Sequence, residues 1–445
     1  MLKLQGKYYR SLLSLGLPIM VGQLGIIIVG FVDNIMVGHH STLELSAASF
    51  VNNMMNLAFI MGMGFSYGLT PLVTGSLGSK DGKLITWLKS GLLANAFVGV
   101  LLTLIMGGLW FYVDKMGQPQ ELLPYIRPYY LVQLSSILVT MLFNGYKQFS
   151  DGVGRTMDAM LVLLASNVIN IVLNYLLIFG VAGFPELGLL GAGVSTLVAR
   201  LFCCVALWGR VSWSRTFRSI FERAKSVNGA VNSKALGTIF RLGSPIALQM
   251  GVEAASFSLS VIVVGWVGST ALAAHQVMSV VSTVGFMMYY GLSAAVTIEV
   301  SKANALGKVS DIRGNVTAGI QLLACMAACF LAFLLLGRDW IGRIFTTDAE
   351  VIRLVSLLCY PMVFYQAGDI FQILYSNTLR GLRDVTYLAV CAVICHLGIA
   401  LSLVYTFGIV LQGGVVGVWY AFPFSLTALG FLLYLRYRKV LNTLF

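Results

Sequence analysis

The chain has 445 residues, of which 58% are hydrophobic and only 10% charged, against about 25% charged in soluble domains. With a mean hydropathy of +0.86, a soluble fold is excluded, and most of the chain has lipid as its solvent. The net charge of +12 does not mark a nucleic-acid surface, because the basic residues fall between apolar runs, where membrane topology places them.

In chain order, Lys3, Lys7 and Arg10 precede the first apolar run. They resemble the charged start of a signal peptide. The run is too long for one and lacks a small-residue cleavage site, so it reads as an uncleaved first transmembrane helix. Twelve runs approach the ~20 residues a spanning helix needs. They cover 12–38, 45–74, 88–112, 122–146, 158–180, 188–209, 239–265, 270–298, 314–336, 351–376, 386–408 and 414–435. None alternates apolar with polar residues, which excludes a β-barrel. The expected fold is an all-α polytopic membrane protein, with twelve transmembrane helices in two pseudo-symmetric six-helix bundles.

Lys and Arg set the orientation. With the N-terminus in the cytoplasm, 23 of them flank the runs on the inside, whereas Lys115, Arg127, Arg338, Arg343 and Arg353 fall outside and Arg200 lies within a span. This asymmetry predicts cytoplasmic N- and C-termini. The one long polar connection, 210–238, holds Arg210, Arg215, Arg218, Arg223, Lys225 and Lys234. It reads as a cytoplasmic basic linker between an N-terminal lobe, 1–209, and a C-terminal lobe, 239–445. The two halves repeat at a shift of 227. Leu15-Gly16-Leu17-Pro18 matches Leu242-Gly243-Ser244-Pro245, Gly38 meets Gly265, and Gly64 meets Gly291. An even number of spans per half makes the repeats parallel, an arrangement suited to alternating access.

Polar residues inside the runs are the candidate site. Asp33 lies in an apolar run with no other charge back to Arg10, and an intramembrane acid costs roughly 2.5–3.5 kcal/mol, so it marks function by default. Asn167, Asn170 and Asn174 share one face of the fifth span. They serve either as a site around Asp33 or as helix–helix glue. Gln249 and Glu253 are one turn apart on the seventh span. Tyr365 and Asp369 are likewise one turn apart on the tenth, with Gln366 and Gln372 nearby, and Pro361 is expected to kink that helix. Glu253, Asp369 and Tyr365 offer hard oxygen ligands for a cation such as Na⁺, and the acids can equally take protons. At the repeat shift Asp33 meets Ser260, Glu253 meets Ile26 and Asp369 meets Leu142, so no acid is duplicated. His275 in Ala273-Ala274-His275-Gln276-Val277 reads as a hydrogen-bonded structural group and a weaker candidate. The seven cysteines suggest no disulfide or zinc framework, and Gly413 and Gly417 suit close helix packing.

These residues carry a resemblance. Pro18 with Phe31-Val32-Asp33-Asn34-Ile35-Met36-Val37-Gly38, Asn167 to Asn174, Pro245 with Glu253, Ala273 to Val277, and Tyr365 through Asp369 to Leu379-Arg380-Gly381 run in order along the chain. Together they resemble the multidrug and toxic compound extrusion (MATE) transporters of the NorM-like bacterial branch. The resemblance implies a V-shaped exporter of cationic or amphipathic drugs in a bacterial cytoplasmic (inner) membrane, driven by antiport of Na⁺ or H⁺ and needing no other cofactor; a monomer is the expected form. It places the cation site at Glu253, Asp369 and Tyr365, and a proton- or substrate-linked site at Asp33, Asn170 and Asn174. Asn174 stands where some relatives carry an acid, which favours Na⁺ over a purely proton-driven first lobe. Two other classes fit less well. A lipid-linked oligosaccharide flippase should line its cavity with several cations, and an intramembrane enzyme needs a His or Ser grouping or a metal motif that is not found.

Overall fold

The computed structural model describes residues 2–224 and 229–443, with side chains from residue 6 onward. Lys225, one of the linker's basic residues, lies outside the described residues. In lipid each backbone N–H and C=O must be satisfied within its own segment, and a helix does this. Accordingly the described chain is helical. Its elements are α1 (Leu2–His40), α2 (Thr42–Tyr67), α3 (Thr70–Ser79), α4 (Leu84–Trp110), α5 (Leu123–Gly152), α6 (Thr156–Ile178), α7 (Gly188–Trp213), α8 (Arg215–Arg223), α9 (Ser233–Val267), α10 (Ser269–Ala305), α11 (Val309–Phe345), α12 (Ala349–Gly381), α13 (Val385–Ala392), α14 (Leu401–Tyr405) and α15 (Gly414–Thr443). Twelve spans among the described residues are long and apolar enough to cross a membrane. One of them is interrupted between α2 and α3, where Pro71 opens the new helix. Another, Val385–Val410, widens into π-helical turns at Val393–Ala400 and Thr406–Val410.

Pro361, where a kink is expected, lies inside α12, which continues through it. Irregular backbone lies in the following span. There a wide turn leaves the His396 carbonyl to accept from Ser256 Oγ at 2.8 Å. The linker also has more structure than a polar tether. Ser214 caps α8, accepting from the Thr216 N–H, and Phe217 and Phe221 stack on Phe149 at the end of α5. Asp158 of α6 accepts from both Arg155 and Arg210.

The chain divides into two compact units, Val21–Ala247 (the N-unit) and Met1–Met20 with Leu248–Phe445 (the C-unit). Each half of the sequence therefore gives the start of its first helix to the other half's unit, and the two boundaries are themselves one repeat shift apart. The shared Leu-Gly-x-Pro motif explains the exchange. In the C-unit a Cβ on Gly291 would stand 2.6 Å from the backbone of Met20, and one on Gly16 would stand 3.0 Å from Leu292 Cα. In the N-unit a Cβ on Gly243 would stand 2.7 Å from the Phe65 carbonyl, and Gly68 faces the Gly243 backbone equally closely. Only glycine permits such backbone contact.

The repeat is visible bond by bond. In the N-unit Thr70 Oγ1 donates to Gln148 Oε1 at 2.7 Å. In the C-unit Thr297 Oγ1 donates to the Asn377 carbonyl at 2.8 Å. Gly152 and Gly381 sit equivalently against the carbonyls of Thr70 and Thr297. Gly188 (φ 54°) and Gly414 (φ 57°) make matching left-handed turns before α7 and α15. Gly413 and Gly417 pack on the Phe407 carbonyl, a close contact at the start of the last span. The N-unit core gathers around Val51, Met55, Tyr130 and Ile137. The C-unit has one cluster around Leu12, Tyr289, Leu374 and Leu429, and another around Met362, Tyr365 and Trp419.

Candidate functional site

In the N-unit the apolar run of α1 carries Asp33 to a half-buried position beside α6. The three-and-four spacing of the α6 amides turns them toward it, as the helical period requires. Asn174 Nδ2 donates to Asp33 Oδ1 at 2.5 Å and to Asn170 Oδ1 at 3.3 Å, and Asn170 Nδ2 reaches Thr196 Oγ1 of α7 at 3.3 Å. Asn167 stands one turn earlier, against Gly25 of α1. The structure thus brings Asp33, Asn170 and Asn174 into one relay.

The charge that balances this acid belongs to Arg200 on α7, a residue the sequence reading placed in a span without giving it a role. Arg200 and Asp33 interact electrostatically. The guanidinium donates to Gln133 Oε1 at 3.1 Å and to Ser136 Oγ, and lies 4.5 Å from the centre of the Phe59 ring. Gln133 Nε2 in turn donates to the Tyr129 hydroxyl at 2.8 Å, which donates to Asn52 Oδ1 at 3.0 Å. The signal was present: a lone intramembrane cation in the same half as a lone intramembrane acid.

In the C-unit, Gln249 and Glu253 on α9 face α12. Gln249 Nε2 donates to Glu253 Oε2 at 3.2 Å, and Gln372 Nε2 donates to Glu253 Oε1 at 3.3 Å. Arg380, counted in sequence among the cytoplasmic flank, is only 3% exposed and donates from Nη2 to Gln249 Oε1 at 2.6 Å. A chain Arg380–Gln249–Glu253–Gln372 results, bordering a cavity of about 20 Å³, room for about one water-sized sphere.

Asp369 lies on α12 just before Gln372 and is fully buried, yet neither of its carboxylate oxygens has a hydrogen-bond partner. Asp369 and Glu253 interact electrostatically, and both act on Tyr365. The Tyr365 ring packs edge-on against Trp419 at 5.8 Å and Phe422 at 6.3 Å. Burying a charge without a partner costs several kcal/mol, so Asp369 requires a proton or a cation. The carboxylate oxygens of the two acids can accept either, while the Tyr365 hydroxyl is hydrogen-bonded with Ser282. Among the described residues no group of three or more His, Cys, Asp or Glu gathers to hold a metal.

His275 is placed apart from the acids. Its ring lies 5.5 Å from that of Trp419, and its buried Nδ1 has no hydrogen-bond partner. His396, which sequence reasoning passed over, is buried in the π-helical turn and interacts electrostatically with Glu253.

The two halves also match one known family. Residues 18–176 and 245–406 fit the model of the family described as MatE. Over 440 residues the chain is 28% identical to a probable multidrug resistance protein NorM of Mannheimia succiniciproducens, covering 97% of this chain and 94% of that one. Its fold is similar to the outward-facing conformation of a multidrug resistance MATE family transporter of the MOP superfamily. That match has a TM-score of 0.89 at 18% identity, over 99% of this chain and 97% of that one. It is similar too to the eukaryotic MATE transporter AtDTX14, with a TM-score of 0.87 at 17% identity, over 99% of this chain and all of that one. Matched by the family model across both repeats, this twelve-span chain belongs to the MatE family.

Proposed function

We propose that the protein is a secondary active multidrug exporter. It moves organic cations and amphipathic drugs out across the bacterial cytoplasmic membrane in antiport with Na⁺ or H⁺, by alternating access. Both termini face the cytoplasm, the working form is a monomer, and the process is transport rather than catalysis. The observation that carries the reading is Asp369, a fully buried carboxylate with no hydrogen-bond partner on either oxygen, within electrostatic reach of a second acid. The family match and the drug-resistance relative support the substrate class.

The cycle follows from charge balance. Open to the outside, Glu253 and Asp369 take up Na⁺ or H⁺. Their neutralisation removes the attraction for a cationic drug, which leaves. Facing inward, the coupling ion dissociates into the cytoplasm, and the recharged acids draw in the next drug. Asp33 does not serve this ion. With Asn174 donating to it and Arg200 balancing it, it senses substrate in the N-unit. Drug-sensitive cells expressing the protein are expected to gain resistance to ethidium-like compounds, and vesicles made from them to show efflux that depends on a Na⁺ or pH gradient. Failure of both would overturn the proposal.

A further inference from the structure

The N-unit sets an open guanidinium beside its acid. Arg200 uses Nη1 for both of its bonds, to Gln133 Oε1 and Ser136 Oγ. Among the described residues its Nε and Nη2 have no hydrogen-bond partner. Neither has Asp33 Oδ2, since Asn174 donates to Oδ1. None of these three atoms is fully buried. Acid and guanidinium interact electrostatically, yet among the described residues no salt bridge closes between them. Each keeps a free edge.

Helix α2 shows that water reaches this place. Asn52 and Asn56 stand one turn apart and are both exposed, and Phe59 follows on the same face. Amides exposed this deep in a spanning helix face a water-filled space and not lipid. Both ends of that face are tied to the arginine. Asn52 Oδ1 accepts from Tyr129, whose hydroxyl accepts from Gln133, and the Phe59 ring lies 4.5 Å from the guanidinium. The repeat shows that the scaffold does not need this charge. In the register that matches Gly188 with Gly414, Arg200 meets Leu426, and in the one that matches Gly152 with Gly381, Gln133 meets Met362. Leu426 and Met362 lie in one apolar cluster with Tyr365. The second half closes this place with apolar side chains, and the first half puts a held arginine there.

We propose that Arg200 makes the N-unit site select zwitterionic amphipaths, an inference that rests on the reading of the protein as a drug exporter. Asp33 holds the cationic end of the ligand, and the Nε–Nη2 edge of Arg200 holds a carboxylate. That edge presents two parallel N–H groups, the geometry in which a guanidinium grips both oxygens of a carboxylate. A simple cation is attracted by Asp33 and repelled by Arg200. A molecule carrying both charges satisfies both free edges at once. Specificity is a difference of affinities, and here one side chain supplies attraction for the zwitterion and repulsion for the cation.

The test uses rhodamine 110 and rhodamine 123. The first carries a cationic ring system and a free carboxylate, and the second is its methyl ester, which lacks the anion. Binding of each dye to the purified full chain in nanodiscs is read by fluorescence polarisation at neutral pH, against empty nanodiscs and with no ion gradient. The wild type is expected to bind both. Arg200→Gln should weaken rhodamine 110 by about tenfold or more relative to rhodamine 123, the loss of a charge-assisted contact. Arg200→Lys keeps the charge but not the fork. It should fall between the two, and it carries the test if the glutamine variant does not fold. Asp33→Asn should weaken both dyes, because both are cationic at the ring. A structural role for Arg200 would weaken both dyes equally. That result, or a wild type that binds no rhodamine 110, would overturn the proposal. The ratio of the two affinities is an equilibrium quantity, so it stands even if gradient-driven efflux fails. An unchanged ratio in a protein that still exports removes the selectivity alone.

Discussion

Asp33 and Arg200 show what single residues contribute. The acid on its own marks a site, whereas helical spacing put the three α6 amides on one face without deciding between a site around Asp33 and helix–helix glue, and of the three it is Asn174 that donates to the acid. Arg200 was visible in the sequence as a charge within a span, but which acid it serves depends on tertiary packing such as its bonds to Gln133 and Ser136 of α5, which no local pattern encodes. Arg380 was masked differently. It follows a long apolar helix at a place where topology predicts a flanking cation, and only its bond to Gln249 shows a second use. The Asp33–Arg200 pairing makes a measurable prediction. Arg200→Gln removes the cation whose charge acts on the half-buried Asp33 and should cost about 1 kcal/mol of stability in detergent. Asp33→Asn in the same chain removes the need for that counter-charge and should restore at least half of the lost melting temperature. Purely additive losses in the double variant would show that the two do not form a pair.

At the scale of elements, the glycines of the repeat fix where helices cross. Gly243→Ala and Gly291→Ala each push a Cβ into backbone, at 2.7 Å from Phe65 O and 2.6 Å from Met20 N. Each should destabilise its unit by about 1–3 kcal/mol, read as a lowered unfolding temperature. Gly237→Ala, on the same helix as Gly243 but with nothing within 4 Å, should be neutral or slightly stabilising. A loss at Gly237 equal to the others would show that close backbone contact is not what sets the cost at Gly243 and Gly291. The twelve spans could be read from hydropathy because lipid leaves the backbone no alternative to the helix. The π-helical turns of the eleventh span could not. They leave no compositional mark, and Pro361, where sequence suggests irregular backbone, sits inside a helix that runs on through it. The exchange of the first helical segments was equally hidden. The Leu-Gly-x-Pro repeat announced a shared contact but not its partner.

For the whole molecule, the repeat carries the scaffold and the asymmetry carries the chemistry. Thr70 with Gln148 and Thr297 with Asn377 are near copies, whereas Asp33, Glu253 and Asp369 have no counterparts. Orientation follows from the basic flanks and is testable with a membrane-impermeant maleimide on intact cells. Lys115→Cys, between α4 and α5, should label from outside, and Asp81→Cys, between α3 and α4, only after permeabilisation. The reverse pattern would invert the topology. The central claim concerns the second-half acids, and Asp369→Asn tests it most directly. Ethidium efflux from reconstituted vesicles is measured with Na⁺ and pH gradients imposed separately, for the wild type and the variant at equal incorporation. The wild type should respond to at least one gradient, and Asp369→Asn should fall to the rate of protein-free vesicles under both. Gradient-driven efflux at the wild-type rate in Asp369→Asn would contradict the account.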